Sequence, residues 1–91
     1  MLYREIGQRI RKRRLEMKLT QQQFAERVGI SMSFYGHIER GTRKLSVDTL
    51  YRIVQGLDCS ADEILGTQRE NPDEKPSVTE LLKQALRLMQ E

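Results

Sequence analysis

The stretch from Thr20 to Gly41, TQQQFAERVGISMSFYGHIERG, constrains this chain more than any other. Thr20 is a strong helix N-cap, and Gln23 follows three residues later. At that spacing two side chains and two backbone N–H groups satisfy one another in a capping box. Phe24, Ala25 and Val28 recur at helical spacing and form one apolar stripe. Gly29 comes just past the stripe, where a left-handed helix stop favours glycine. Ile30 is then available to plug the gap between two helices. Ser31 caps a second helix over about Met32 to Arg40, and Gly41 ends it. The spacing predicts two short helices that meet through a tight turn.

Such a pair is the helix-turn-helix signature, whose second helix can enter the major groove of DNA. A helical wheel separates the faces of that second helix. Tyr35 and Ile38 point one way, with Ser31 and Glu39 at their edge. Ser33, Gly36, His37 and Arg40 point the other way. An outward face of small, hydrogen-bonding and cationic groups suits base edges and phosphates. Met32 and Phe34 fall on the rims, within reach of a thymine methyl or the sugar-phosphate wall.

The rest of the chain is built around this pair. A first helix is expected over roughly 3–17, with Ile6 and Ile10 stacked at i, i+4 and Gly7 offering a close helix contact or a merely tolerated small residue. Residues 41–45 read as a basic loop. Ser46 caps a fourth helix, with Asp48 in its first turn and Val47, Leu50, Val54 and Leu57 facing inward. Ser60 and Glu63 form a second capping box before Ala61, Ile64 and Leu65, and Gly66 closes that helix. Residues 1–66 are thus one domain. The polar, proline-containing segment 67–76 reads as a linker.

Residues 77–91 begin with a third capping box, Ser77 and Glu80, and form an amphipathic helix. Val78, Leu81, Leu82, Ala85, Leu86, Leu88 and Met89 share one arc of its wheel. A helix this short is marginal alone in water, so that arc needs cover. It either folds back on its own domain or pairs with a second subunit, and the preceding linker favours pairing.

Charge is unevenly spread. Residues 1–45 hold 11 Lys or Arg against 4 Asp or Glu, and residues 46–91 hold 5 against 9. The half with the helix-turn-helix is therefore the basic half, as a DNA-facing surface requires. Arg9, Arg11, Lys12 and Arg13 are expected to be surface charge. One Cys and one His give no metal-ligand cluster and no internal disulfide. Cys59 is expected to be a small buried hydrophobe. No long apolar run spans a membrane, and MLYREIGQRIRKRR lacks a signal-like apolar core, so a cytoplasmic location is expected.

TQQQFAERVGIS with HIERG, IGQRIRKRR before it and LSVDTLYRIVQGLDCSADEILG after it resembles the phage-repressor and Cro class of helix-turn-helix regulators, also called the XRE type. The likeness runs from about Tyr3 to Gly66. It implies an all-α, five-helix, lambda-repressor-like domain that binds double-stranded DNA, usually as a homodimer. By that resemblance Met32, Ser33, Gly36 and His37 face bases. Thr20, Gln21, Phe34, Arg40, Thr42, Arg43 and Lys44 meet the DNA backbone, and Arg14 pairs with Glu39. The family's frequent glutamines are missing from the base-facing positions. In this reading Val78, Leu81, Leu82, Ala85, Leu88 and Met89 dimerise the chain. The expected function is a sequence-specific transcriptional regulator, a repressor acting on a two-fold symmetric operator. The alternative is an antitoxin or protein-binding module that docks a partner through its last helix. No catalytic set, cofactor motif or phosphate-binding Gly loop is visible, so an enzyme, and a cofactor, are not expected.

Overall fold

The computed structural model describes residues 2–67 and 78–90. Among these there are six helices and no strand: α1 (Leu2–Glu16), α2 (Gln21–Val28), α3 (Met32–Arg40), α4 (Val47–Leu57), α5 (Ala61–Leu65) and α6 (Val78–Gln90). The cap residues determine where four of them start. The hydroxyls of Thr20, Ser31, Ser46 and Ser60 each accept the backbone N–H three residues on. Each cap thereby satisfies one of the N–H groups that a helix start leaves without an intrahelical partner.

One core joins α1 to α5. Ile6 and Ile10 of α1 meet Phe24, Ala25 and Val28 of α2, Tyr35 and Ile38 of α3, Leu50, Ile53, Val54 and Leu57 of α4, and Ala61 and Ile64 of α5. Ile53 is wholly buried, whereas Val47, expected in the inward stripe, is half-buried. Phe24 and Tyr35 pack ring to ring, with centroids 5.1 Å apart and planes tilted by 50°. Such tilted pairs add about 0.5–1.5 kcal/mol to the area they bury.

Gly7 sits where α1 crosses the end of α3, and the close-contact reading of this residue holds. A Cβ there would collide with the carbonyl oxygens of Ile38 and Glu39. Both are backbone atoms of a capped helix, so neither can swing aside. Gly7→Ala is expected to cost about 1–3 kcal/mol as overpacking. In a domain of this size that lowers Tm by about 5–20 °C. Thermal unfolding followed by far-UV circular dichroism checks this. A Tm unchanged within error would mean that α1 and α3 separate freely.

Of the four cations expected to be surface charge, Arg11 and Lys12 are exposed, but Arg9 and Arg13 also bind the ends of other helices. Arg13 Nε donates to the Leu57 carbonyl at 3.1 Å, and its Nη2 to that of Asp58 at 3.4 Å. Arg9 Nη1 donates to the Ile64 carbonyl at 3.4 Å. Helix C-termini leave carbonyls without intrahelical partners, and these two side chains cover those of α4 and α5.

The last helix packs against α4 and α5. Val78 and Leu82 lie on the core, and the Val78 N–H donates to Asp62 Oδ1 at 3.3 Å. Leu81, Leu88 and Met89 stay exposed, at 49%, 73% and 68%. The apolar arc is thus divided: one edge covers its own domain and the other faces outward. The expected linker beyond Thr67, and Ser77 of the third capping box, lie outside the described residues.

Candidate nucleic-acid interface

The turn between α2 and α3 is held by its own backbone. Thr20 Oγ1 accepts from Gln23 N–H at 3.1 Å, and Gln23 Oε1 accepts from Thr20 N–H at 2.9 Å, closing the expected capping box. Gly29 takes φ 77° and ends α2 in the left-handed region that glycine reaches without strain. Its neighbour Ile30 donates back to the Ala25 carbonyl at 3.0 Å. Ser31 then starts α3, and Ile30 rests half-buried against the core. Sequence-local bonds thus join the two helices.

A buried polar cluster sets how α3 lies on α1. Arg14 and Glu39 make the expected pair with two bonds: Nε to Oε2 at 2.6 Å and Nη2 to Oε1 at 3.2 Å. Their side chains are 7% and 2% exposed. Arg14 Nη1 also donates to the Leu19 carbonyl at 2.7 Å. Two further donors converge on the carboxylate. Tyr35 Oη donates to Oε2, and Gln21 Nε2 donates to Oε1 at 3.0 Å. Burial pushes the Glu39 carboxyl up, but bonds from Arg14, Tyr35 and Gln21 outweigh it and hold the group below its ordinary range. Bonding to Glu39 raises Arg14 in turn. Burial first, then the bond to Glu39, pushes the Tyr35 phenol well above its ordinary value. The cluster therefore consists of an ionised carboxylate, a guanidinium and a neutral phenol.

Gln21 links this cluster to the surface. It is the first residue of α2, at the helix end where N–H groups lack intrahelical partners. Its amide is held by Glu39, so the end of α2 is tied to the interior of α3. Neither residue signals this in the sequence, because they are 18 positions apart.

The outward face of α3 carries Met32 and Ser33, exposed, His37, half-buried, and Arg40, exposed. Gly36 on the same face is covered. Phe34 is half-buried and packs on the core, so only part of its ring is exposed. Thr42 Oγ1 lies 2.8 Å from His37 Nδ1 and also donates to the His37 carbonyl at 3.2 Å. Nδ1 is thus the ring nitrogen engaged within the domain. Arg43 and Lys44 follow in the exposed loop before α4. Two α-helix starts, a small polar helix face and a basic loop thus belong to adjoining elements, an arrangement suited to a groove flanked by phosphates.

Among the described residues no group of His, Cys, Asp or Glu has metal-holding geometry, and no helix is long and apolar enough to cross a membrane. Cys59 is half-buried and packs on the core, and burial pushes its thiol up. That is the environment of an unreactive thiol.

Comparison with known proteins agrees with this geometry. The helix-turn-helix family profile HTH_3 matches residues 10–64. The HTH-type transcriptional regulator YobD of Bacillus subtilis is 41% identical over 68 residues, covering 75% of this chain and 60% of that protein. The chain spans about half the length of the curated relatives it matches. Among solved structures, the restriction-modification controller protein C.AhdI from Aeromonas hydrophila superposes with a TM-score of 0.66 at 31% identity, over 68% of this chain and 94% of that one. The P22 c2 repressor, solved in complex with a synthetic operator, gives 0.64 at 30% identity, over 69% and 96%.

Proposed function

This chain belongs to the helix-turn-helix family, and from that membership we propose that it is a sequence-specific DNA-binding transcriptional regulator that acts as a repressor. It binds a two-fold symmetric operator as a homodimer, and its two copies of α3 enter successive major grooves roughly 34 Å apart. The observation that carries this reading is the outward face of α3, with Ser33, His37 and Arg40 on a helix clamped from behind by Arg14 and Glu39. A rigid base is what lets a short helix discriminate base edges. Thr20, Gln21, Thr42, Arg43 and Lys44 set the register on phosphates, and Met32, Ser33 and His37 read bases. The likeness to a repressor solved with a synthetic operator supports the repressor reading. Repression follows from occupying DNA that polymerase needs.

Selection from a random duplex pool at two salt concentrations tests the proposal. We expect a two-fold symmetric motif to be enriched at both. Specific binding should weaken with salt in proportion to the phosphates engaged. Salt-sensitive binding with no motif would overturn it. The exposed edge of α6 then favours the second reading, a module that docks a protein partner through Leu81, Leu88 and Met89.

A further inference from the structure

We propose that Arg40 is a base-reading residue, that it recognises a guanine in the major groove, and that it reaches mid-helix because its guanidinium rests over Gly36, which has no side chain to lift it. The proposal rests on the operator-binding reading and deepens it. Arg40 is the last residue of α3, a position that by sequence belongs to the phosphate-facing exit of the helix. Side chains on a helix lean toward its N-terminus, so a long residue covers the surface about one turn before its own Cα. Gly36 is that surface, four residues back on the outward row that also holds Ser33 and His37.

The distances agree. A Cβ at Gly36 would stand 3.1 Å from Arg40 Nη1, 3.6 Å from Nη2 and 3.7 Å from Cζ, and those are the nearest atoms it would meet. Gly36 is buried on an otherwise open face, under that guanidinium. The fork therefore lies over the middle of the recognition helix, not over the loop beyond it.

Its donors are free. Arg9, Arg13 and Arg14 are bound to carbonyls or to Glu39, and Arg52 pairs with Asp48. Among the described residues none accepts from Arg40. A guanidinium at mid-helix, rigid, planar and unpaired, matches the two acceptors of guanine, O6 and N7, in two parallel bonds. Phosphates lie at the groove walls, where Arg43 and Lys44 stand.

The test is a motif selection run in parallel on wild type, Arg40→Ala and Gly36→Ala. Wild type is expected to enrich a guanine at one position in each half-site. Arg40→Ala is expected to lose that preference, about 5- to 150-fold in discrimination, while the rest of the motif survives. Gly36→Ala is a better helix former, so the fold is not at risk. Its methyl would press on the guanidinium, which must give way slightly, and any effect on the motif is expected at the same position and no other. Uniform loss across all sequences in Arg40→Ala, with the salt slope reduced by about one, would make Arg40 a phosphate contact and overturn the proposal alone. An unchanged motif in both variants would overturn it equally. No motif in wild type would instead sink the operator reading, and this inference with it.

Discussion

Glu39→Ala is expected to destabilise the domain by about 3–5 kcal/mol, the usual cost of stripping one partner from a buried ion pair. The size follows from what remains. Arg14 would keep its charge in a site 7% exposed, and Tyr35 and Gln21 would lose the acceptor they share. A small domain has only about 5–15 kcal/mol in total, so the loss would remove a large share of its stability. Arg14→Ala should cost a similar amount, and the double variant should cost less than the two together, because each single change already breaks the same unit. Urea unfolding of the three variants measures this. A loss below about 1 kcal/mol in Glu39→Ala would mean that α1 and α3 are held by apolar contact alone.

The same cluster predicts a pH dependence with a definite sign. The folded Glu39 carboxyl titrates below its ordinary 4.5. Its contribution is present above that value and is lost as pH falls through the lower folded one. Tyr35 behaves oppositely. Its phenol is raised above the ordinary 10.0, so its contribution is present below pH 10.0 and falls away as pH rises beyond it. The acid limb should flatten in Glu39→Gln, and the alkaline limb in Tyr35→Phe.

The second large effect concerns assembly. On the proposed homodimer reading, Leu81→Glu with Leu88→Glu is expected to leave a folded monomer whose affinity for the proposed two-fold operator is about 10²- to 10⁴-fold lower. Linking two half-site binders makes the second contact intramolecular, and that advantage disappears when the link is broken. Leu81, Ala85 and Leu88 follow one another at i, i+4 and i+7, the spacing of a helix-pairing seam. Leu81 and Leu88 are exposed, so replacing them removes nothing from the domain's own core. Deleting residues 78–91 would be a poorer experiment, because Val78 and Leu82 pack on that core and their loss would also destabilise the fold. Sedimentation equilibrium and operator titration read the result. A dimer that survives both glutamates would place the interface elsewhere.

The elements themselves were legible because their signals are local. A cap hydroxyl and the N–H it binds are three residues apart, and a glycine stop lies next to the last apolar residue. Thr20, Ser31, Ser46 and Ser60 therefore marked four helix starts, and Gly29, Gly41 and Gly66 marked three ends. The end of α1 carried no such mark, because Lys18 takes φ 61° without being a glycine. The pairing of Arg14 with Glu39 came from likeness to a family and not from spacing.

The sequence by itself determined the order of the helices, the capped starts and glycine stops among their ends, the helix-turn-helix, the outward face of α3 and the polar–apolar division of α6. These follow from periodicity and capping over three to seven residues. Only the tertiary structure decided that Gln21 and Tyr35 join the Arg14–Glu39 pair, that Arg9 and Arg13 cover helix ends, that Gly7 admits the backbone of α3, and that α6 covers its own domain with one edge while exposing the other. Each of these depends on where two distant helices cross. A crossing is set by the packing of the whole core, and no stretch of local sequence carries it.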